Sequence, residues 1–149
     1  MNVLATNSKA RFDYDILETI EAGIELLGHE VKAAKTGRAK LVGSFVHLRS
    51  GEAWLTNAFI GRYAKASRTD EYDPNRSRRL LLKKRDMRRI TGKQQADRLT
   101  LIPLRMIEKR GLVKVDIALA RGKRKYEKRE TIKKREDDRR MRRATMRST

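Results

Sequence analysis

The last 29 residues of the chain, 121–149, have a composition that cannot form a hydrophobic core. They contain 14 Lys or Arg and 5 Asp or Glu, a net charge of +9. Their larger apolar or aromatic side chains are only Tyr126, Ile132, Met141 and Met146, which make no continuous stripe. Burial of so little surface cannot offset the entropy lost on ordering. We therefore predict a folded domain at 1–120 and a basic tail at 121–149, disordered when free and helical once phosphates neutralise it.

The whole chain is strongly basic, and this limits the kinds of partner it can bind. Its 149 residues include 38 Lys or Arg and 19 Asp or Glu, which gives a formal net charge of +19. A protein with this net charge has a positive electrostatic potential that attracts polyphosphates, and their binding releases condensed counterions. An anionic membrane is the alternative, but the sequence has no long apolar run and no basic amphipathic helix with an aromatic face. Composition therefore favours nucleic acid and no membrane partner.

Few residues are suited to enzyme chemistry. The chain has no cysteine, and His29 and His47 do not stand at a metal-ligand spacing. Gly-x-Ser-x-Gly, Walker and dinucleotide-binding glycine motifs are missing. We therefore predict no catalytic residues, no metal and no cofactor, although a nuclease using scattered Asp and Glu stays an alternative. The first seven residues have no apolar segment typical of a secretory signal, which favours the cytoplasm.

Alternating hydrophobicity predicts several strands. Residues 1–11 read as a short basic arm, and apolar side chains on even positions from Phe12 to Leu26 then predict a long strand with a bend or bulge. Residues 28–35 read as a short helix. A hairpin is predicted at 44–49 and 53–60, with Gly51 in the turn and Trp54 in the core. A second hairpin is predicted at 100–107 and 112–120, with Pro103 at an edge or bulge.

The segment between the hairpins is predicted to be a loop followed by a helix. Residues 61–76 are polar, and Asp73-Pro74 has the residue types that begin helices. Leu80, Leu81, Leu82, Met87 and Ile90 would then form the apolar face of a helix ending near Gly92. The predicted fold class is mainly β with flanking helices, an OB-like small β-barrel plus the basic tail.

Three stretches resemble the SsrA-binding protein family. The first is Asn-Ser-Lys-Ala-Arg at 7–11, continued by Ile-Glu-Ala-Gly-Ile at 20–24 and Gly-His-Glu-Val-Lys at 28–32. The second is Asp-Pro-Asn-Arg-Ser-Arg-Arg-Leu-Leu-Leu at 73–82, and the third is Ala-Arg-Gly-Lys-Arg-Lys-Tyr-Glu-Lys-Arg at 120–129. Their order and spacing fit the family from about Asn7 to Arg135.

The resemblance implies an RNA-binding adaptor with an OB-type barrel. It implies binding to the tRNA-like domain of tmRNA near its D-loop, so that the barrel stands where an anticodon arm would be. The tail would enter the empty mRNA channel of a stalled bacterial ribosome, next to small-subunit rRNA at the decoding centre, so that alanyl-tmRNA is accepted without a codon. The functional complex would hold one copy of the chain. The implied RNA-binding residues are Asn7, Lys9, Glu21, Lys32, Arg76, Arg78 and Arg79. The implied tail residues are Gly122, Lys123, Tyr126, Lys128, Arg129, Ile132, Lys133, Lys134 and Arg135.

Some positions depart from the family pattern. Tyr126 and Phe12 stand where many members have His, and Glu127 stands where members have Asp. An aromatic face at Tyr126 can stack on a base as an imidazole does, but it cannot supply a group that titrates near neutral pH.

The sequence alone leaves two interpretations open for the three arginines, for Glu21 and for the function of the protein. Arg76, Arg78 and Arg79 are either a solvated basic turn or a phosphate clamp that uses their planar guanidinium groups, and the high positive charge of the whole chain favours the clamp. Glu21 is either the partner of a lysine or an acceptor for base and 2′-hydroxyl donors of RNA. A ribosomal or initiation-type rRNA-binding protein would have the same composition as the adaptor, and only the three motifs favour the adaptor.

Overall fold

The computed structural model describes residues 1–63, 71–123 and 125–147. Side chains of the C-terminal helix are described at Arg129 and at 132–142. The elements in chain order are β1 (Asn2–Thr6), α1 (Ala10–Asp13), β2 (Tyr14–Ile24), α2 (Gly28–Lys35), β3 (Ala39–Lys40), β4 (Phe45–Arg49), β5 (Glu52–Thr56), β6 (Phe59–Ile60), β7 (Arg78–Leu81), α3 (Lys84–Asp97), β8 (Thr100–Lys109), β9 (Leu112–Gly122) and α4 (Lys125–Arg147).

Six antiparallel strands form a closed ring. Their order is β8–β4–β5–β7–β2–β9, and β9 pairs again with β8 to close the ring. β1 pairs with β8 along residues 105–108. β3 pairs with β6 in a separate two-stranded sheet. The predicted mainly β class with flanking helices is confirmed. An OB-type arrangement of the strands stays a prediction.

The inside of the ring is filled by every second residue of its strands. On β9, Val113, Val115, Ile117 and Leu119 are buried in the main core, where they meet residues of all the other ring strands. Alternation of this kind places one face of a strand in the core and the other outside. The outer face of β8 and β9 is partly covered by α1, whose Ala10 packs in a second small cluster.

The N-terminal part of the chain is more ordered than its sequence predicts. The long strand is confirmed, with its bulge between Ile16 and Glu18, but it starts at Tyr14 because Phe12 belongs to α1. The predicted arm is wrong for 2–6, which form β1. An edge strand is held by backbone hydrogen bonds to its neighbour, so β1 needs no apolar alternation that a sequence would reveal.

Both predicted hairpins are present. The turn of each hairpin contains two residues with positive φ, as tight two-residue hairpin turns require. They are Ser50 and Gly51 in the first hairpin and Arg110 and Gly111 in the second. The first hairpin ends at Thr56, earlier than predicted, because Asn57 adopts a left-handed conformation that interrupts the strand. The second contains the predicted irregularity at Pro103, where the register shifts before Arg105.

The helix predicted from Asp73-Pro74 is wrong. The Asp73 carboxylate accepts a hydrogen bond from the Asn75 backbone at 2.9 Å, which forms a turn, and 78–81 is strand β7. Leu80 is buried and Leu81 is exposed, which is the period of a strand. The helix begins only at Lys84 and continues past Gly92 to Asp97. Among the described residues, no helix is long and apolar enough to cross a membrane.

Candidate nucleic-acid interface

A row of polar side chains crosses the outside of four neighbouring strands. By register, Glu21 of β2 pairs with Asp116 of β9, Asp116 with Arg105 of β8, and Arg105 with Thr6 of β1. Residues paired directly across antiparallel strands project to the same face of a sheet. We call Thr6, Glu21, Arg105 and Asp116 the four-strand face. Neighbouring strands lie about 4.8 Å apart, so this face is roughly 15 Å wide.

The ion pairs on the four-strand face leave the Glu21 carboxylate accessible. Arg105 Nε donates to Asp116 Oδ2 at 2.6 Å, and Lys109 Nζ lies 3.4 Å from Glu21 Oε2. The Glu21 side chain is 40% exposed and Lys109 is 50% exposed. Exposed pairs of this geometry stabilise the fold by no more than about 1 kcal/mol. Glu21 therefore has an oxygen available to accept hydrogen bonds from a ligand.

Asn7 is fixed at the other end of this face. Its backbone N–H donates to the Leu104 carbonyl at 2.8 Å, and its side-chain Nδ2 donates to the Pro103 carbonyl at 2.9 Å. It lines a groove of about 510 Å³ together with Thr6, Ser8, Ala10, Arg11, Thr19, Leu104, Arg105, Asp116 and Arg135. Lys9 is exposed and lines a smaller neighbouring cleft with Asn7. The structure thus brings Asn7, Lys9 and Glu21 to one side of the barrel.

Arg78 lies inside the protein, and this corrects its predicted place in a phosphate clamp. Its side chain is 0% exposed, with Nε and Nη2 donating to Glu30 Oε2 at 2.9 and 2.6 Å and Nη1 donating to the Ala58 carbonyl at 2.6 Å. Nη2 also lies 3.0 Å from both the Tyr72 hydroxyl and the Pro74 carbonyl. Its hydrogen bonds are made within the protein, so Arg78 has none to offer a phosphate.

Glu30 is the centre of a buried charged network. Arg76 and Arg78 both form ion pairs with it, and its Oε1 also accepts the Leu27 backbone N–H at 2.8 Å at the start of α2. The Tyr72 hydroxyl donates to Oε2 at 2.9 Å. Burial alone would raise the pKa of Glu30, but hydrogen bonds from Arg76, the Leu27 backbone and Arg78 outweigh it and lower the pKa to about 2. The network joins α2 to the segment before β7.

The remaining predicted RNA-binding residues are dispersed. Arg76 is about one-third exposed beside Glu30, and Lys32 is exposed on α2 with its ammonium 5.9 Å from the centre of the Tyr63 ring. Arg79 projects from β7 between Glu25 at 3.6 Å and Glu52 at 3.5 Å. The structure therefore does not assemble Arg76, Arg78 and Arg79 into one clamp. Neighbouring residues of a strand point to opposite faces, so Arg78 is inside while Arg79 is outside.

The start of the tail is tied to α1. The Lys123 backbone N–H donates to the Asp13 carbonyl at 2.9 Å, and Lys123 Nζ donates to the Arg11 carbonyl at 2.9 Å. Gly122 is exposed just before this anchor. Further along α4, the Arg135 guanidinium lies 5.9 Å from the centre of the Phe12 ring. The exposed residues of the tail prediction are Arg129, Ile132, Lys133, Lys134 and Arg135. The side chains of Tyr126 and Lys128 lie outside the described residues.

Sequence reasoning missed two residues of this site and misplaced a third residue elsewhere on the ring. Arg105 and Asp116 stand at the centre of the four-strand face, and the predicted hairpin at 100–120 contained the signal, since its register places them opposite each other. Trp54 was predicted in the core but is only partly buried, on the outside of β5. Within the described ranges, no cluster of three or more His, Asp or Glu side chains has a geometry suited to a metal ion.

The chain is similar to one known family over nearly its whole length. The family model described as SmpB protein matches residues 4–147. An SsrA-binding protein of Trichodesmium erythraeum is 51% identical over 142 residues, covering 95% of this chain and 91% of the relative. One of Levilactobacillus brevis is 49% identical over 138 residues, covering 93% and 87%. A chain from the structural work "tmRNA-SmpB: a journey to the center of the bacterial ribosome" has a TM-score of 0.67 and 44% identity, covering 85% of this chain and 92% of that one.

Proposed function

Since this chain belongs to the SmpB protein family, we propose that it is an RNA-binding adaptor in the rescue of stalled ribosomes by trans-translation. It binds the tRNA-like domain of tmRNA and brings alanyl-tmRNA to the ribosome in the cytoplasm of a bacterial cell. It acts by binding alone, as a single copy, with no catalytic residue and no cofactor. The observation that carries the proposal is the similarity to SsrA-binding proteins over both the barrel and the tail.

The four-strand face and the groove beside Asn7 are the surface that we assign to tmRNA. The groove has cations at Arg11 and Arg105 of the folded domain for phosphates. Asn7 and Glu21 supply hydrogen-bonding groups for bases and 2′-hydroxyls. Lys9 adds a further charge at the edge. Cations attract any RNA, whereas directed acceptors such as Glu21 distinguish a particular RNA shape. Lys32 and the exposed edge of Arg76 extend this proposed interface along α2.

The tail is the part that we assign to the ribosome. α4 carries Arg129, Lys133, Lys134 and Arg135 on exposed positions, so it presents its charge to its surroundings. The mRNA channel is walled by rRNA phosphate, and an empty channel leaves that negative potential uncompensated. A filled channel excludes the tail, which restricts the adaptor to stalled ribosomes. Tyr126 follows the Lys123 anchor and would stack on an rRNA base at the decoding centre.

The direct test is to sequence the RNA that copurifies with the tagged, full-length protein. We expect tmRNA to be enriched over tRNA and over ribosomal RNA in the fraction that sediments without ribosomes. A ribosomal or initiation-type protein would instead remain with vacant subunits and copurify with rRNA alone. That second result would contradict the adaptor function.

A further inference from the structure

Lys123 stands where the barrel ends and the tail begins, and its side chain is hydrogen-bonded to helix α1. We propose that Lys123 is a positioning residue, whose ammonium caps α1 and thereby fixes the direction of α4 relative to an RNA bound beside Asn7. The inference rests on the proposed adaptor function for the need to direct the tail. The anchor itself is argued from the contacts of the described residues.

Helix α1 is too short to satisfy its own backbone. It has four residues, Ala10–Asp13, and the last carbonyl groups of a helix have no partner within it. The Tyr14 backbone N–H donates to the Ala10 carbonyl, so the carbonyls of Arg11 and Asp13 depend on groups from elsewhere in the chain. A helix of a single turn is marginally stable by itself in water. The orientation of α1 therefore depends on what binds these carbonyls.

Lys123 supplies a donor to both carbonyls. Its backbone N–H donates to the Asp13 carbonyl at 2.9 Å, and its Nζ donates to the Arg11 carbonyl at 2.9 Å. A cation at the C-terminus of a helix interacts favourably with the helix dipole, and a charged donor makes a stronger hydrogen bond than a neutral one. Lys123 is only partly exposed, whereas the two residues before it are exposed. The chain is thus held directly after the last register pair of β2 and β9, Tyr14 with Gly122.

The same short helix borders the groove that we assign to tmRNA. Ala10 and Arg11 line this groove together with Asn7. Ala10 is 3% exposed and packs against β8 and β9, and its backbone N–H donates to the Asn7 carbonyl at 3.2 Å. Arg11 lines the groove while its carbonyl binds Lys123, so the RNA surface and the anchor of the tail share a residue. An anchor on α1 therefore fixes the tail relative to the bound RNA.

The direction of α4 at its start matters because the helix is long. Its 23 residues span about 34 Å at 1.5 Å per residue. A tilt of roughly 20° at the start moves the far end by about 12 Å, which is about the diameter of a helix with its side chains. A channel that admits one strand of mRNA does not tolerate such an error. The tail must therefore leave the barrel in a fixed direction, and the Lys123 anchor provides one.

The first experiment measures the direction of α4 in the full-length protein. The chain has no cysteine, so cysteines introduced at the exposed residues Gln95 and Arg139 can carry a pair of spin labels. Pulsed electron paramagnetic resonance, recorded in sulfate to stabilise α4, gives the distribution of distances between α3 and α4. We expect Lys123→Met, which keeps the aliphatic stem and removes the ammonium, to broaden this distribution clearly. The control Arg121→Met removes the same charge from an exposed residue and should leave it narrow. Equal widths in all three proteins would overturn the proposal.

The second experiment separates the direction of the tail from the binding of RNA. We expect Lys123→Met to keep the melting temperature, the affinity for tmRNA and the slope of log affinity against log salt. Tagging of ribosomes stalled on a short truncated mRNA should fall about ten-fold even at saturating protein, because a higher concentration does not redirect the tail. Lys123→Arg restores a cation that can donate to the Arg11 carbonyl, so it should recover most of the rate. Arg121→Met should tag normally.

Other outcomes would assign Lys123 a different role and overturn the positioning role. A salt slope lower by about one unit in Lys123→Met would mean that Lys123 contacts a tmRNA phosphate directly. Slower tagging with an unchanged distance distribution would mean that Lys123 contacts ribosomal RNA, and tagging at the full rate would mean that the anchor has no part in rescue. Failure of the unaltered protein to bind tmRNA would instead contradict the adaptor function, whereas the distance measurement would still report on the anchor.

Discussion

Arg78 and Arg79 are neighbours in sequence with opposite environments, and their energetic roles should differ accordingly. Arg78 is fully buried with Glu30, whereas the Arg79 side chain is 42% exposed. Removing one partner of a buried ion pair leaves the other charge uncompensated and costs about 3–5 kcal/mol. We expect Arg78→Met to lower the free energy of unfolding by that amount in urea denaturation. Arg79→Met is the control, and it should cost under about 1 kcal/mol because exposed pairs stabilise little.

Glu30 makes the stability of the fold depend on pH in the acid range. Its pKa is about 2 in the folded protein and near 4.5 when the chain is unfolded. The unfolded state therefore binds the proton more tightly, and the stabilisation of about 3 kcal/mol is present above pH 5 and is lost as pH falls from 5 to 2. Glu30→Gln should be less stable at pH 7 and should show a flatter stability profile over that window. Parallel profiles for both proteins would contradict this assignment.

Glu21 is expected to recognise RNA without stabilising the fold. It is exposed on the outside of β2, so Glu21→Gln removes an acceptor charge and opens no cavity. We expect unchanged thermal stability and weaker binding to tmRNA, by about 1–3 kcal/mol. Glu52→Gln is a closely matched control, since its side chain is also 40% exposed and its oxygen lies 3.5 Å from a guanidinium on the opposite half of the ring. Equal affinity of both variants, or earlier melting of Glu21→Gln alone, would favour a structural role.

What the sequence reveals about a single residue depends on where its partners stand in the chain. Glu21 could be placed on the outer face from the alternation of its own strand. The burial of Arg78 could not be predicted, because its partner Glu30 is 48 residues away and charged side chains are rarely buried. Trp54 was misplaced for a related reason. A large aromatic residue in a hairpin is usually buried, and the face it occupies depends on register with β4 and β7.

At the level of elements, local sequence patterns predicted those strands that have one buried and one exposed face. They failed where a run of apolar residues is compatible with both a helix and a strand. The hairpins on Gly51 and Gly111 follow from alternation and turn chemistry. Leu80, Leu81 and Leu82 fit a helix as well as a strand, and only pairing of β7 with β2 and β5 decides between them. Asp73-Pro74 misled for a similar reason, because Asp followed by Pro begins turns as well as helices.

Helix α4 is expected to need anions for its stability. It is 23 residues long, and its described side chains, at Arg129 and 132–142, are mostly exposed, so tertiary packing supports it weakly. Repulsion among its cations opposes the helix at low ionic strength. We expect circular dichroism of the full-length protein to gain helical signal when sulfate or RNA is added, and a protein ending at Lys123 to show no such gain. A full helical signal at low salt would show that α4 is stable by itself.

At the scale of the whole molecule, closure of the ring gives the protein two opposite outer sides and one tethered end. Neither closure nor the opposition of the sides could be read from local patterns, because both depend on pairings between strands far apart in the chain, such as β2 with β9. The position of the tail follows from the same closure. β9 returns to β8 beside α1, and the Lys123 anchor to Arg11 and Asp13 starts α4 next to the groove of Asn7. An RNA bound in this groove would therefore have the start of α4 beside it.

This arrangement predicts that RNA binding and ribosome rescue can be separated by truncation. A chain that ends at Lys123 keeps the anchor to α1 and the whole ring, so its affinity for tmRNA should be within a few-fold of that of the full-length protein. It lacks α4, so peptide tagging of ribosomes stalled on a short truncated mRNA should fail in a purified translation system. A full-length chain with Lys133, Lys134 and Arg135 changed to Gln should tag at an intermediate rate, since part of the charge that enters the channel remains. Tagging by the truncated chain at the full-length rate would mean that α4 only adds electrostatic affinity, and that the state of the mRNA channel is sensed by the barrel.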